Sequence, residues 1–105
     1  MKTKQLLLIL LAAFLPSATW AGFWYDPETP NVYYEYTEGN SEASARGDNM
    51  SSGAVTIRSS FTVDGNEYTV TSIKDYAFNL AYGLTSITIP NTIKTIGESA
   101  FDGCI

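Results

Sequence analysis

The second half of the chain repeats itself at an offset of 23 residues, and this repeat restricts the fold more than any other feature. Residues 70–81 align with residues 93–104, and the agreement is concentrated at apolar positions. The identical pairs are Ile73 and Ile96, Ala77 and Ala100, and Phe78 and Phe101. A period of about 20–29 residues is typical of solenoids, in which each copy stacks on the next.

A short strand pattern lies between the two copies. The segment "LTSITIP" places Leu84, Ile87 and Ile89 at the spacing L-x-x-I-x-I. Alternation predicts that Ile87 and Ile89 point inward while Ser86 and Thr88 face outward, and the proline that follows ends the strand. The pattern predicts a β-rich leucine-rich repeat solenoid, with short parallel strands joined by tight turns or 3-10 segments.

The first part of the chain predicts a cap in front of the repeats. Val32, Tyr34 and Tyr36 alternate on one face, which is typical of a half-buried strand. Residues 38–53 are rich in Gly, Ser, Asn and acidic residues and predict a mobile loop. If the N-terminal aromatic side chains are buried, they cap the first repeat; if they are exposed, they offer stacking surfaces for sugar rings. These side chains are Phe23, Trp24, Tyr25, Tyr33, Tyr34 and Tyr36.

An Asp-Gly sequence between two alternating runs predicts a β-hairpin that leads into the repeats. Two registers are compatible with it. A four-residue loop pairs Phe61 with Val70, whereas a two-residue loop pairs Phe61 with Tyr68. The first register is favoured here, because it gathers the apolar side chains on one buried face.

The N-terminus has the layout of a secretory signal peptide. Lys2 and Lys4 precede an apolar run of about ten residues, roughly half the length that a bilayer span needs. Small residues then lead to an expected cleavage after Ala21. The predicted organisation is a signal peptide at 1–21, an aromatic cap and polar loop at 22–54, and a repeat region at 55–105. Within that region the lead-in hairpin covers 55–70 and the repeats cover 71–105.

Charge and composition exclude several classes of function. Without Lys2 and Lys4, four basic residues remain against eleven acidic ones, a net charge of −7 that disfavours binding to nucleic acid. The chain has no His and one Cys, so a Ser-His-Asp triad, a Cys-His dyad and His- or Cys-paired zinc sites cannot form. A pair of carboxylates remains formally possible, but no pair stands out. We therefore expect no enzyme activity, no cofactor, no metal and, after cleavage, no membrane insertion.

The string "VTSIKDYAFNLAYGLTSITIPNTIKTIGESAFDGC" closely resembles the BspA-like leucine-rich repeats of mainly bacterial surface proteins. Those repeats follow the pattern L-x-x-I-x-I-P-x-x-V-x-x-I-G-x-x-A-F-x-x-C. The matching residues are Leu84, Ile87, Ile89, Pro90, Ile93, Ile96, Gly97, Ala100, Phe101 and Cys104. The first copy departs from the pattern, since Lys74 replaces the Gly, which suggests a less regular, cap-like turn.

The resemblance implies an exported, non-enzymatic scaffold for adhesion or protein binding, secreted or at the cell surface, with a protein or glycan partner. Solenoids need about three or more copies to bury their faces, whereas this chain contains about one and a half. We therefore expect a truncated N-terminal part of a longer array, with possible self-association through its open C-terminal coil. The alternatives are a carbohydrate-binding module that uses the N-terminal aromatics and a fragment without function.

Two groups of residues are candidates for binding. The outward strand face of a solenoid is its usual contact surface, and here that face comprises Thr56, Arg58, Ser86 and Thr88. The tripeptide Arg46-Gly47-Asp48 in the polar segment matches an integrin-type motif, in which Asp completes a metal site and Arg reaches an acidic pocket. The alternative for this tripeptide is an ordinary turn.

Overall fold

The computed structural model describes residues 21–104. These residues form eight strands and no helix. The strands are β1 (Ala21–Tyr25), β2 (Val32–Thr37), β3 (Glu42–Gly47), β4 (Gly53–Thr56), β5 (Ser60–Val63), β6 (Asn66–Ile73), β7 (Leu84–Thr88) and β8 (Thr95–Ile96). Apart from Ala21, the predicted signal peptide lies outside the described residues. No helix in the described part of the chain is long and apolar enough to cross a membrane.

The strands form two sheets. The large sheet has the order β1-β2-β3-β6-β5, with β8 also beside β6, and the small sheet consists of β4 and β7. Strands β1, β2 and β3 are antiparallel neighbours, whereas the pairs β3–β6, β6–β8 and β4–β7 are parallel. Parallel neighbours require a crossover, and here the chain crosses to the small sheet through β4 and again through β7. The result is strand-rich and consistent with a leucine-rich repeat fold.

Strand β6 joins the antiparallel and parallel parts of the large sheet. Its first half pairs with β5, and its second half pairs with β8 on the same side. Against β3, Ala43 lies opposite Val70 and Ser44 lies opposite Ser72, so Thr71 is an extra residue of the β-bulge type. The carbonyl of Thr71 accepts the N–H of Lys94 at 2.7 Å. The bulge therefore lies where β6 changes from the hairpin to the repeats.

The hairpin between β5 and β6 has the two-residue loop, so the four-residue register favoured above is wrong. Phe61 lies opposite Tyr68, and Val63 lies opposite Asn66. Asp64 and Gly65 have φ angles of 51° and 80°, as a type I′ turn requires. The requirement that the apolar side chains share one buried face cannot distinguish the two registers. They differ by two residues, and a shift of two keeps every side chain on its face.

The 23-residue repeat is present in the backbone as well as in the sequence. Tyr76 and Ser99 have φ angles of 58° and 55°, and Leu80 and Gly103 have φ angles of 63° and 83°. Three N–H groups of the first copy donate to carbonyls of the second at 2.7–2.9 Å: Tyr76 to Glu98, Phe78 to Ala100, and Leu80 to Asp102. Equivalent residues therefore lie next to one another, and the rings of Phe78 and Phe101 stack at 5.6 Å with an angle of 1°.

Residues 38–53 do not form a loop throughout, and that prediction is wrong for Glu42–Gly47, which is strand β3. This strand pairs with β2 on one side and β6 on the other. Its inward side chains belong to Ala43 and Ala45, which are 4% and 0% exposed. Such small side chains give little apolar signal in a sequence, but large neighbours on β2 and β6 fill the space above them. Tyr34 lies opposite Ala45 on one side, and Ile73 on the other.

The last residue of β3, Gly47, lies under the aromatic ring of Phe78. The N–H of Gly47 donates to the carbonyl of Ala77, which repeats the bond from Phe78 to Ala100 in the next copy. A Cβ at Gly47 would lie 2.6 Å from Cδ1 of Phe78 and 2.8 Å from Oγ of Ser51. Phe78 and Ser51 are themselves buried, so neither can move aside easily.

We expect Gly47→Ala to lower the free energy of unfolding by about 1–3 kcal/mol, because the added methyl group overpacks a filled site. Urea unfolding followed by aromatic fluorescence would measure this change. The matched control is Arg46→Ala on the outward side of the same strand, which should change stability by less than about 0.5 kcal/mol. Equal stability of the two variants would contradict the packing described for Gly47.

Candidate functional site on the outer face of the large sheet

Three of the four residues predicted on the strand face do come together. In the small sheet, Thr56 lies opposite Thr88, and Ser86 lies two pairs further along, opposite Ala54. The side chains of these four residues, Thr56, Thr88, Ser86 and Ala54, are exposed. The face that they form is small and polar, and it has none of the Trp, Tyr or Arg side chains that dominate binding energy in protein interfaces.

The fourth residue, Arg58, follows β4 and is committed to an ion pair with Asp26. Its Nε and Nη2 donate to the two carboxylate oxygens of Asp26 at 2.8 and 3.0 Å. Nη2 also donates to Glu28 at 3.1 Å, and the guanidinium lies 5.1 Å from the centroid of the Trp24 ring. Arg58 therefore fastens the segment after β1 to the small sheet, and any role in binding remains a prediction.

The environment of Asp26 stabilises its charged form. The side chain is only 1% exposed. Burial alone raises the pKa of this carboxyl, but the hydrogen bonds from Arg58 and from the Glu28 N–H, with the charge of Arg58, outweigh burial and lower the pKa. The hydrogen bonds between Arg58 and Asp26 also raise the pKa of Arg58. Tyr34 completes the group, since its buried hydroxyl accepts the N–H of Arg58 at 2.9 Å and burial raises its pKa.

The Arg46-Gly47-Asp48 motif spans the end of β3 and the turn that follows. Arg46 is half-buried and points to the outer face of the large sheet, opposite Tyr33, whereas Gly47 is buried under Phe78. The carboxylate of Asp48 accepts the N–H of Met50 at 2.8 Å, and the Asp48 N–H donates to Ser51 at 3.3 Å. The structure thus gives Gly47 and Asp48 roles in local folding, and the integrin-type hypothesis stays a prediction.

The N-terminal aromatics divide between the two faces of the large sheet. Trp24, Tyr34 and Tyr36 point inward and pack around Phe61, whose ring centroid lies 5.0 Å from that of Trp24 and 5.3 Å from that of Tyr34. These inward rings cover the hairpin of β5 and β6, which leads into the repeats. Phe23, Tyr25 and Tyr33 are on the opposite face, so the cap explains only half of the predicted set.

We call the three outward rings, Phe23, Tyr25 and Tyr33, the aromatic ridge. Phe23 is 52% exposed and Tyr25 is 68% exposed. Tyr25 stacks on Tyr33 with centroids 5.1 Å apart, and Phe23 meets Tyr33 edge-on at 5.6 Å. The rings support one another, so the ridge is an ordered surface and each ring keeps part of its apolar area in contact with solvent.

Polar side chains continue the same face across β2, β3 and β6. Glu35 forms an ion pair with Lys74, and the hydroxyl groups of Ser44 and Ser72 lie 2.9 Å apart. A groove of about 290 Å³ runs over these four residues. With Arg46 opposite Tyr33, the outer face presents an apolar ridge next to a row of charged and hydroxyl groups. Within the described residues, no cluster of three or more His, Cys, Asp or Glu side chains could hold a metal ion.

The position of the aromatic ridge could have been predicted from the sequence, although the candidate strand face did not include these residues. Tyr33 and Glu35 alternate with the buried face of β2, so their outward position follows from that pattern alone. Strand β1 adds Phe23 and Tyr25 on the same side because Trp24 points inward. The polar row across β3 was hidden by the interpretation of residues 38–53 as a loop.

A comparison with protein families finds a leucine-rich repeat region in the second half of the chain. Residues 56–105 match the family described as a BspA type leucine rich repeat region of six copies. The match covers 50 of the 105 residues, and over this segment it confirms the resemblance found in the sequence. Such regions generally mediate protein interactions and are generally non-catalytic. No curated protein and no solved structure matches the chain.

Replacing Asp26 by Asn should lower the free energy of unfolding by about 1–3 kcal/mol at pH 7, because buried hydrogen bonds to a charged group are lost. Glu28→Gln is the control. The Glu28 side chain is 82% exposed, so its loss should cost less than about 0.5 kcal/mol. Urea unfolding of the two variants and the unchanged chain would measure both effects.

The effect of Asp26→Asn should also depend on pH. The folded-state pKa of Asp26 lies below its ordinary value of 3.8. Its ionised form therefore stabilises the fold fully above that value, and this stabilisation disappears as the pH falls through the lower folded-state pKa. The difference between the unchanged chain and Asp26→Asn should stay constant from pH 7 to about 5 and shrink as the pH falls through the lowered folded-state pKa of Asp26. A difference that persists in acid would show that the ion pair is not its source.

Proposed function

We propose that this protein is an exported, non-enzymatic scaffold that binds a protein partner at a surface through the outer face of the large sheet. The match to the BspA-type family supports the general class, a protein-interaction scaffold. The observation that carries the assignment to this face is the aromatic ridge, in which Phe23 and Tyr25 are more than half exposed and Tyr33 lies opposite Arg46.

The composition of this face favours a protein as the partner. Tyr, Phe and Arg are enriched in protein interfaces, and Lys and Glu are depleted at their centres. The ridge and Arg46 supply the enriched types, while Glu35 and Lys74 neutralise each other at the side of the ridge. A protein that packs over Tyr25 and Tyr33 would cover apolar area without breaking the ion pair of Glu35 and Lys74, and it would have to supply an acidic group for Arg46.

The repeats extend this surface in our proposal. Ser72 on β6 and Thr95 on β8 are opposite each other and continue the row that begins at Glu35 and Ser44. In a solenoid, each further copy would add one strand to this row and one to the small sheet. The predicted strand face of Thr56, Ser86 and Thr88 would then be a second, weaker contact surface.

The binding proposal can be tested with arrays of secreted and cell-surface proteins probed with the exported chain. We expect saturable binding to at least one protein, weakened roughly tenfold or more by Tyr33→Ser, because aromatic side chains at interface centres contribute most of the binding energy. The control is Tyr82→Ser, which removes a ring that is 65% exposed and lies outside the face. Urea unfolding would establish that both variants remain folded. Loss of binding in both variants alike would contradict a role of the outer face.

A glycan array probed in parallel separates the carbohydrate-binding alternative. Tyr25→Ala is the appropriate variant, because Tyr25 is exposed whereas Trp24 packs against Phe61 inside the cap. Sugar binding that is lost in Tyr25→Ala, without any protein binding, would replace our proposal by a glycan-binding one.

Export by the predicted signal peptide has its own test. Mass spectrometry of the protein recovered outside the cytoplasm should give a chain that begins at Gly22, since small residues precede the expected cleavage after Ala21. The control is a variant with Leu8→Arg in the apolar run, which should stay in the cytoplasm uncleaved. An exported chain that retains residues 1–21 would contradict the signal peptide.

A further inference from the structure

Strand β1 is at the end of the large sheet and has an unprotected edge. Among the described residues its only neighbour is β2. Natural proteins protect such edges with charged side chains, prolines or bulges, because unpaired N–H and C=O groups invite another strand. The sequence of β1 is AGFWY, which contains no charged residue and no proline, and its register with β2 has no bulge.

One hydrogen bond shows which groups of β1 point to the free edge. The N–H of Asp26, just after the strand, donates to the carbonyl of Val32 at 3.1 Å. Hydrogen-bonded pairs alternate in antiparallel sheets, so Trp24 and Gly22 also direct their backbone groups toward β2. The N–H and C=O groups of Ala21, Phe23 and Tyr25 therefore point away from the sheet.

Two copies of β1 paired antiparallel would have complementary side-chain volumes. Written against YWFGA, the sequence AGFWY pairs its two smallest residues with its two largest and its central Phe with itself. In an antiparallel pairing centred on Phe23, Ala21 lies opposite Tyr25 and Gly22 lies opposite Trp24. A pairing centred on Phe23 also uses the free backbone groups of β1, because Ala21, Phe23 and Tyr25 are the residues that would exchange hydrogen bonds with the second copy.

We propose that two copies of this chain associate through their β1 strands, antiparallel about Phe23, so that the two large sheets join into one. This dimer goes beyond the binding function proposed above and does not depend on it. Hydrogen bonding at Phe23 satisfies both backbone groups of the central residue in each copy. The side chains of the two strands carry no charge, although the chain as a whole is acidic.

Both faces of the joined sheet gain contacts. On the inner face, the Tyr36 ring fills the place that a side chain at Gly22 would take, with its nearest atoms 2.6 Å from a hypothetical Cβ. Trp24 of the second copy would lie next to that Tyr36 ring. On the outer face, Phe23 of each copy would touch the other, and the two aromatic ridges would form one continuous surface.

Cleavage of the signal peptide after Ala21 is compatible with this arrangement. The exported strand then begins at Gly22, and the pairs formed by Gly22, Phe23 and Trp24 remain. Only the outermost pair at each end, between Ala21 and Tyr25, is lost. The centre of symmetry stays at Phe23, which makes this residue the appropriate position for a test.

A pair of cysteine variants tests the register. In a Cys104→Ser background, Phe23→Cys places the two new thiols on directly opposed residues, with Cα atoms about 5.5 Å apart. That distance lies within the range of about 4.4–6.8 Å that a disulfide needs. Tyr25→Cys is the matched control, because its two copies would lie about 14 Å apart along the paired strands. We expect mild oxidation of the exported protein to cross-link Phe23→Cys at least about tenfold faster. Equal cross-linking of both variants would overturn the proposal.

Sedimentation equilibrium tests the association itself. The exported chain should dimerise with rising concentration, and Phe23→Lys should abolish the dimer because it places two positive charges opposite each other. Tyr82→Lys, which removes a more exposed ring elsewhere, should leave the dimer unchanged. A chain that stays monomeric at all concentrations would overturn the proposal. A dimer that persists in Phe23→Lys would also overturn it and would favour association through the C-terminal repeat. Partner binding is measured separately at Tyr33 on β2, so the two proposals can fail independently.

Discussion

The hydrogen bonds between successive repeat copies fix the position of nearly everything else in this molecule. The N–H of Gly47 bonds to the carbonyl of Ala77, and the N–H of Phe78 bonds to that of Ala100. Because the same backbone groups pair each time, Gly47, Phe78 and Phe101 must lie in one column. The side chains in this column must fit against one another, and Gly47, which has no side chain, makes room for the ring of Phe78.

Such short parallel strands need support from outside the repeat, and the N-terminal part of the chain supplies it. Strand β8 has only two residues, and it pairs with a β6 whose other half is held in the antiparallel hairpin. The bulge at Thr71 lets one strand serve both arrangements. At the other end of the cap, the ion pair between Asp26 and Arg58 connects the segment after β1 with the segment between β4 and β5, and so links the large sheet to the small one.

The parts that could be predicted from the sequence are those in which large apolar side chains recur at a fixed spacing. Ile73 and Phe78 identified the repeat because their partners lie 23 residues further along. Strand β3 was missed because its inward residues, such as Ala45, are small and depend on neighbours elsewhere in the chain for their burial. Apolar alternation could not predict the hairpin register either, because both registers place the same side chains on the same face. The left-handed conformation of Asp64 and Gly65 selects the two-residue loop. Arg58 was assigned to the strand face because its partner, Asp26, lies 32 residues away.

The contrast between the two exposed sheet faces is the strongest reason to assign binding to one of them. The small sheet exposes small polar side chains on its strands, among them those of Thr56, Ser86 and Thr88. Thr has a high strand propensity, so a stable outer face on β1 and β2 did not require aromatic residues. Phe23 and Tyr25 nevertheless expose large apolar rings there. Their inward neighbour Trp24 already fills the cap, which leaves the outward rings without a role in the core of the chain. An exposed apolar cluster next to paired charges is what interaction surfaces show, and the outer face has it while the small sheet does not.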